Sequence, residues 1–142
     1  MSPQRISSRP RAVFERQMAC VRTDDRETQL RLCAEDCVYE FPFATDRPRR
    51  IVGREEIRRV MTPLWEEARR KGVRITGYDG TLHETADPEV VIAEFTLSIE
   101  VGKILSRISF VQVTRVRGGQ IVELREYFNP HARSELLERR SA

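Results

Sequence analysis

Apolar residues follow two different rhythms along the chain, one in each half. Over residues 54–71, Ile57, Val60, Met61, Leu64, Trp65 and Ala68 recur at intervals of three and four. That spacing gathers them on one stripe of a helix. Gly72 closes the stretch as a C-terminal cap, and Pro63 inside it predicts a kink. Upstream, over 11–22, Val13, Met18 and Val21 stand near helical spacing, with Phe14 and Gln17 between them. A second short helix opens at Thr23, where Asp24 and Asp25 suit the positive end of a helix dipole. Residues 37–41, Cys-Val-Tyr-Glu-Phe, are β-rich and stop at Pro42, which predicts a short first strand. Residues 45–50 read as loop.

From Val73 onward the rhythm shortens to two. Four strands follow, over 73–84, 90–101, 104–117 and 120–128. They are divided by the turn Ala86-Asp87-Pro88-Glu89, by Gly102-Lys103 and by the hairpin signal Gly118-Gly119. Asn129-Pro130 ends the sheet, and 133–140 reads as a short terminal helix. Helices first and a meander of strands last predict an α+β fold, with helices on one face of an antiparallel sheet. Bent strongly into a cone-shaped roll, such a sheet leaves a pocket between itself and the helices, a natural small-molecule site. Residues 1–9 read as a tail and 10–142 as one domain, a length that one core can serve.

Charge narrows the partners. Of the 142 residues 25 are Lys or Arg and 22 Asp or Glu, a net charge of +3. Lys71 and Lys103 are the only lysines. The arginine bias would suit nucleic acid, but acidic residues interrupt every basic stretch and no alternating aromatic signature accompanies them, so no nucleic-acid partner is expected. No apolar run reaches the roughly 20 residues of a membrane span. The polar, basic opening lacks the core of a secretory signal, which leads us to expect a cytoplasmic protein with reduced thiols at Cys20, Cys33 and Cys37. Cys33 and Cys37 are not at zinc spacing, and His83 and His131 are the only histidines, so neither a metal nor another cofactor is expected.

Counting outward from the hairpins gives a register. With Arg117 opposite Gln120, Glu126 falls opposite Val111 and Phe128 opposite Ser109. With Val101 opposite Ile104, Glu94 also falls opposite Val111, Thr96 opposite Ser109 and Ser98 opposite Arg107. Residues opposite one another share a face. The count therefore predicts one polar wall carrying Glu126, Glu94, Arg107 and Ser109. There, one carboxyl held neutral and another ionised could shuffle protons without a metal. The apolar alternate, Ala93, Phe95, Leu97, Ile99 and Val101, is the other candidate for the cavity side, and otherwise supplies an outer face for a homodimer. His83 is a candidate base or a hydrogen-bonded structural residue. Tyr39, Trp65 and Phe128 are candidate lining.

Tyr39-Glu40-Phe41-Pro42, Gly53-Arg54-Glu55 before the long helix, the turn Glu84 to Pro88 and the ending Arg125-Glu126-Tyr127-Phe128-Asn129-Pro130 resemble the SnoaL-like branch of the NTF2-like superfamily. The phenazine-biosynthesis A/B-like and polyketide cyclase branches are the most similar. The resemblance implies an NTF2-like, or cystatin-like, roll without cofactor, and it matches Glu126 to the phenazine branch's acid/base glutamate. The catalytic aspartate of ketosteroid isomerases falls at Phe41, their oxyanion-hole aspartate near Val111, and a pocket histidine of the phenazine proteins near Val60. The expected function is therefore acid/base chemistry by Glu126, with Glu94, on an apolar cyclic or polyketide-type substrate of secondary metabolism. Cyclisation, isomerisation, dehydration and condensation are its possible outcomes. The alternative is a non-catalytic binding or accessory module with the same pocket.

Overall fold

The computed structural model describes residues 7–132. The terminal helix expected over 133–140, and most of the tail, lie outside the described residues. The element order is α1 (Pro10–Thr23), α2 (Arg26–Arg31), β1 (Cys33–Glu40), β2 (Arg50–Val52), α3 (Arg54–Arg70), β3 (Val73–Glu84), β4 (Val90–Val101), β5 (Ile104–Arg117) and β6 (Gln120–Phe128).

The helices start and stop for local reasons. Pro10 opens α1 and Asp24 ends it in the left-handed region. Asp25 then caps α2, its side chain accepting from the Thr28 amide. The cap thus falls two residues later than the expected start at Thr23. Helix α3 runs through Pro63 and buries Ile57, Met61 and Trp65, the middle of its apolar stripe. Gly118 and Gly119 both take positive φ, as a two-residue hairpin turn requires.

All six strands form one curved sheet in the order β2-β1-β6-β5-β4-β3. The last four make the expected antiparallel meander. Two features differ from the sequence reading. The stretch 45–50 is not wholly loop, because Arg50 opens β2, which pairs antiparallel with β1. Strand β1 begins at Cys33, earlier than expected, and lies parallel to β6 rather than extending the meander.

Register is where the difference bears on function. Strands β4 and β5 pair as counted, with Glu94 opposite Val111 and Ser98 opposite Arg107. Between β5 and β6 the count holds only to Val116 opposite Ile121. Arg115 then faces Glu123, so Val122 is an extra residue, a β-bulge on β6. Beyond it Glu126 lies opposite Gln112, Leu124 opposite Thr114 and Phe128 opposite Phe110. One inserted residue carries Glu126 to the other face from Glu94.

The inner face of the sheet is the apolar one. Ala93, Phe95, Leu97, Ile99 and Val101 are buried, packed with Phe14 and Met18 of α1. A second cluster joins α3 to β1, β2 and β6 through Tyr39, Ile51, Ile57, Ile121 and Leu124. The outer face carries polar pairs such as Thr96 with Ser109 and Arg74 with Glu100. The apolar face expected to serve a homodimer is therefore inside. Among the described residues no helix is long and apolar enough to cross a membrane.

Candidate functional site

Between the helices and the inner sheet face lies a cavity of about 190 Å³. Helix α1 supplies Gln17, Met18 and Val21, helix α3 supplies Met61, Leu64 and Trp65, and the sheet supplies Phe95, Phe110, Gln112, Glu126 and Phe128. Aromatic rings run along the wall in a continuous row. Phe95 stacks on Phe110 at 5.1 Å, Phe110 meets Phe128 at 6.0 Å, Phe128 meets Phe41 at 6.5 Å, and Phe41 meets Tyr39 at 5.9 Å. Offset and edge contacts of this kind hold rings rigidly and present π faces and edges to a ligand.

Glu126 is half-buried and lines this cavity between Leu124 and Phe128, the residues two before and two after it on the same face. Its Oε2 accepts a hydrogen bond from Gln112 Nε2 at 2.8 Å, directly across the β5–β6 pair. Gln112 is fixed in turn, because its Oε1 accepts from the Thr114 hydroxyl at 3.0 Å, and both residues are buried. That relay leaves the amide one useful orientation, with its NH2 toward the carboxyl. No hydrogen bond reaches Glu126 Oε1 from the described residues. Burial pushes the Glu126 carboxyl above the usual carboxylate range, while the Gln112 hydrogen bond and then the charges of Arg47 and Arg26 oppose the rise.

Both arginines lie in the cavity wall. Arg47 stacks its guanidinium over Phe41 at 4.8 Å and Phe128 at 5.6 Å, and pairs with Asp46 at 2.8 Å. Arg26 lies over the Trp65 ring at 4.9 Å and pairs with Asp24 at 2.9 Å. Tyr39 is buried, its hydroxyl 3.3 Å from the Cys33 thiol, and burial holds that hydroxyl well above its ordinary pKa.

The cavity therefore gathers Glu126, Tyr39, Trp65 and Phe128. It does not gather Glu94, Arg107, Ser109 or His83. Glu94, Arg107 and Ser109 are exposed on the outer face, and His83 joins them there by a 3.0 Å contact from Nε2 to Glu94. For Glu94, Arg107 and Ser109 the bulge at Val122 is the physical reason, since the count that joined Glu126 to them assumed an unbroken ladder. Sequence reasoning missed Gln112, Gln17, Arg26 and Arg47. Gln17 did carry a signal, as a polar residue among the apolar positions of α1. Arg47 carried none, because its place depends on how the 45–50 segment folds back. Among the described residues no cluster of three or more His, Cys, Asp or Glu side chains could hold a metal ion.

This architecture defines a class: a curved sheet closed by helices over a largely apolar cavity, with a hydrogen-bonded carboxyl and amide on its sheet wall. The chain belongs to the SnoaL-like domain family, whose model matches residues 14–124. It is 32% identical over 118 residues to the uncharacterised protein YesE of Bacillus subtilis, covering 80% of this chain and 76% of that one. It is 35% identical over 105 residues to an uncharacterised PhzA/B-like protein of Pseudomonas aeruginosa, covering 70% of each. Among solved structures it is similar to a proposed isomerase from Bacillus subtilis, with TM-score 0.73, 26% identity, and 89% and 90% of the two chains covered. A proposed polyketide cyclase from Pseudomonas putida shares the fold at TM-score 0.67 and 17% identity, over 87% and 94% of the chains.

Proposed function

We propose that this chain is an acid/base enzyme that takes a small apolar cyclic molecule into the cavity and moves a proton with Glu126. The observation that carries the reading is the Glu126 carboxyl itself, set in an aromatic cavity, raised in pKa by burial and held at one oxygen only. A carboxyl whose pKa is raised by burial holds its proton more tightly than an ordinary carboxyl, which suits it to donate a proton as well as to accept one. Gln112 anchors Oε2, which leaves Oε1 to face the ligand. The ionised form takes a proton from an acidic C–H or from a heteroatom. The protonated form returns it to another atom of the same molecule. That exchange leaves the enzyme unchanged and yields an isomer. With a leaving group or a second carbonyl present, the same two steps give dehydration or ring closure. The Arg26 and Arg47 guanidiniums favour the negative charge that develops between the steps.

Size supports a small substrate. An apolar cavity of roughly 150 Å³ admits benzene, so about 190 Å³ suits one substituted ring. The test is isomerisation of 3-cyclohexen-1-one to the conjugated 2-cyclohexen-1-one, a one-ring probe followed by ultraviolet absorbance. The wild type should accelerate the shift over buffer, and Glu126→Gln, which keeps size and fold but loses the exchangeable proton, should lose most of that acceleration. If binding is found with no turnover and no effect of the substitution, the chain is a binding module instead.

A further inference from the structure

The polar groups of the cavity wall satisfy one another almost completely. Arg26 donates to Asp24 and Gln29. Arg47 is doubly bonded to Asp46. The amide of Gln112 is engaged at both ends. Apart from Oε1 of Glu126, the conspicuous exception is Gln17 on α1. This side chain is 2% exposed, and its Oε1 has no hydrogen-bond partner among the described residues. Nor does any described residue bond its NH2 end.

An unmet acceptor buried at this depth is rare in folded proteins. Nothing about helix α1 requires it. A leucine would fit the apolar stripe between Phe14, Met18 and Val21, and would remove the cost of stripping water from an amide. Gln17 also lines the same cavity as Glu126, from the helix wall rather than the sheet wall. A group that weakens the empty protein and borders a ligand site is explained when the ligand supplies its partner.

We propose that Gln17 is a specificity-determining residue whose amide, bonded at neither end among the described residues and so free to turn its oxygen toward the cavity, accepts a hydrogen bond from a hydroxyl or N–H of the ligand. The natural ligand is then a single apolar ring bearing such a donor, at a position distinct from the atom that exchanges its proton with Glu126. The inference rests on the reading of the cavity as a small-molecule site, and it does not require that Glu126 turn the ligand over.

The test uses three one-ring probes of similar size, p-cresol, 4-methylanisole and p-xylene, titrated by calorimetry into the wild type, Gln17→Leu and Glu126→Gln. The wild type should bind p-cresol about tenfold more tightly than 4-methylanisole, which is the order of one neutral hydrogen bond. Gln17→Leu should erase that preference while binding p-xylene at least as well as the wild type. Glu126→Gln should keep it. If the Leu variant does not fold, Gln17→Met carries the same comparison with a side chain of similar length. A preference that survives removal of the Gln17 amide overturns the proposal, as does the absence of any preference, or of any binding, in the wild type. A preference lost in Glu126→Gln but kept in Gln17→Leu also overturns it, and assigns the acceptor to Glu126. Loss of 3-cyclohexen-1-one isomerisation is a separate readout, so failure of one idea is distinguishable from failure of the other.

Discussion

Replacing Glu126 by Gln should stabilise the protein, and by an amount that depends on pH. The substituted amide can still accept from Gln112 Nε2, so the 2.8 Å hydrogen bond has a successor. What disappears is the burden of an ionisable group in an apolar wall. At a pH below the ordinary carboxylate value of 4.5, the group is protonated in both folded and unfolded chains, and variant and wild type should have similar stability. As pH rises past that value the unfolded chain gives up its proton while the folded chain keeps it, because burial raises the folded pKa. The folded state then binds more protons, and wild-type stability falls with rising pH. The fall ends once pH passes the folded pKa. Each tenfold gain in proton affinity on folding corresponds to about 1.4 kcal/mol. In a domain of this size, a gap of that order raises Tm by about 5 °C. The assay is urea denaturation of both proteins at a series of pH values between about 4 and 9, with the difference in midpoint stability plotted against pH. Every other titrating group is shared and cancels in that difference. A gap that stays flat across the range, or one that favours the wild type increasingly as pH rises, would refute the burial of Glu126 and with it the acid/base reading.

Two further tests address the frame around the site. Gly80 lies opposite Phe95, and a Cβ added there would stand 2.7 Å from Phe95 Cβ and 2.7 Å from the Tyr78 hydroxyl. Gly80→Ala should therefore cost about 1–3 kcal/mol in chemical denaturation, because a cavity-wall ring must shift; an unchanged midpoint would show that this wall yields freely. At the β3–β4 turn, hydrogen bonds from Arg117 and Arg115 hold Glu89 at a pKa of about 2. A depressed carboxyl adds stability above its ordinary value, 4.5, and loses it as pH falls toward about 2, so Glu89→Gln should blunt acid unfolding in that window. Equal acid-unfolding curves at low salt for the two proteins would count against the cluster.

The sequence announced its regular parts well. The alternation from Val73 onward and the glycine turns fixed β3 to β6 to the residue, since turn chemistry and period-two burial agree there. The long helix ended one residue from its expected limit for the same reason. What was illegible depended on distant contacts. Strand β2 is three residues long and exists because β1 offers it a ladder, and the parallel pairing of β1 with β6 joins segments that no local pattern connects. Val122 looks like any other valine in a strand, so nothing in the alternation betrays the bulge. The polar wall of Glu94, Arg107 and Ser109 followed logically from an unbroken ladder and dissolves once the ladder breaks. Gln112 was hidden by the same error, because the count had turned it away from the residue it holds.

That bulge gives the family member an unusual lever for change. A strand alternates in steps of two, so an odd insertion acts as a parity switch on everything downstream of it. Removing Val122 alone would straighten the ladder and keep Glu126 opposite Gln112, whereas one residue inserted beyond the bulge, between Glu123 and Leu124, would exchange the roles of the two sides. Arg125 and Tyr127 would turn toward the cavity and Glu126 toward solvent. The chemical character of the wall is thus written in the length of β6 as much as in its composition. A single codon gained beyond the bulge could convert an acidic site into a basic, phenolic one without touching the scaffold that surrounds it.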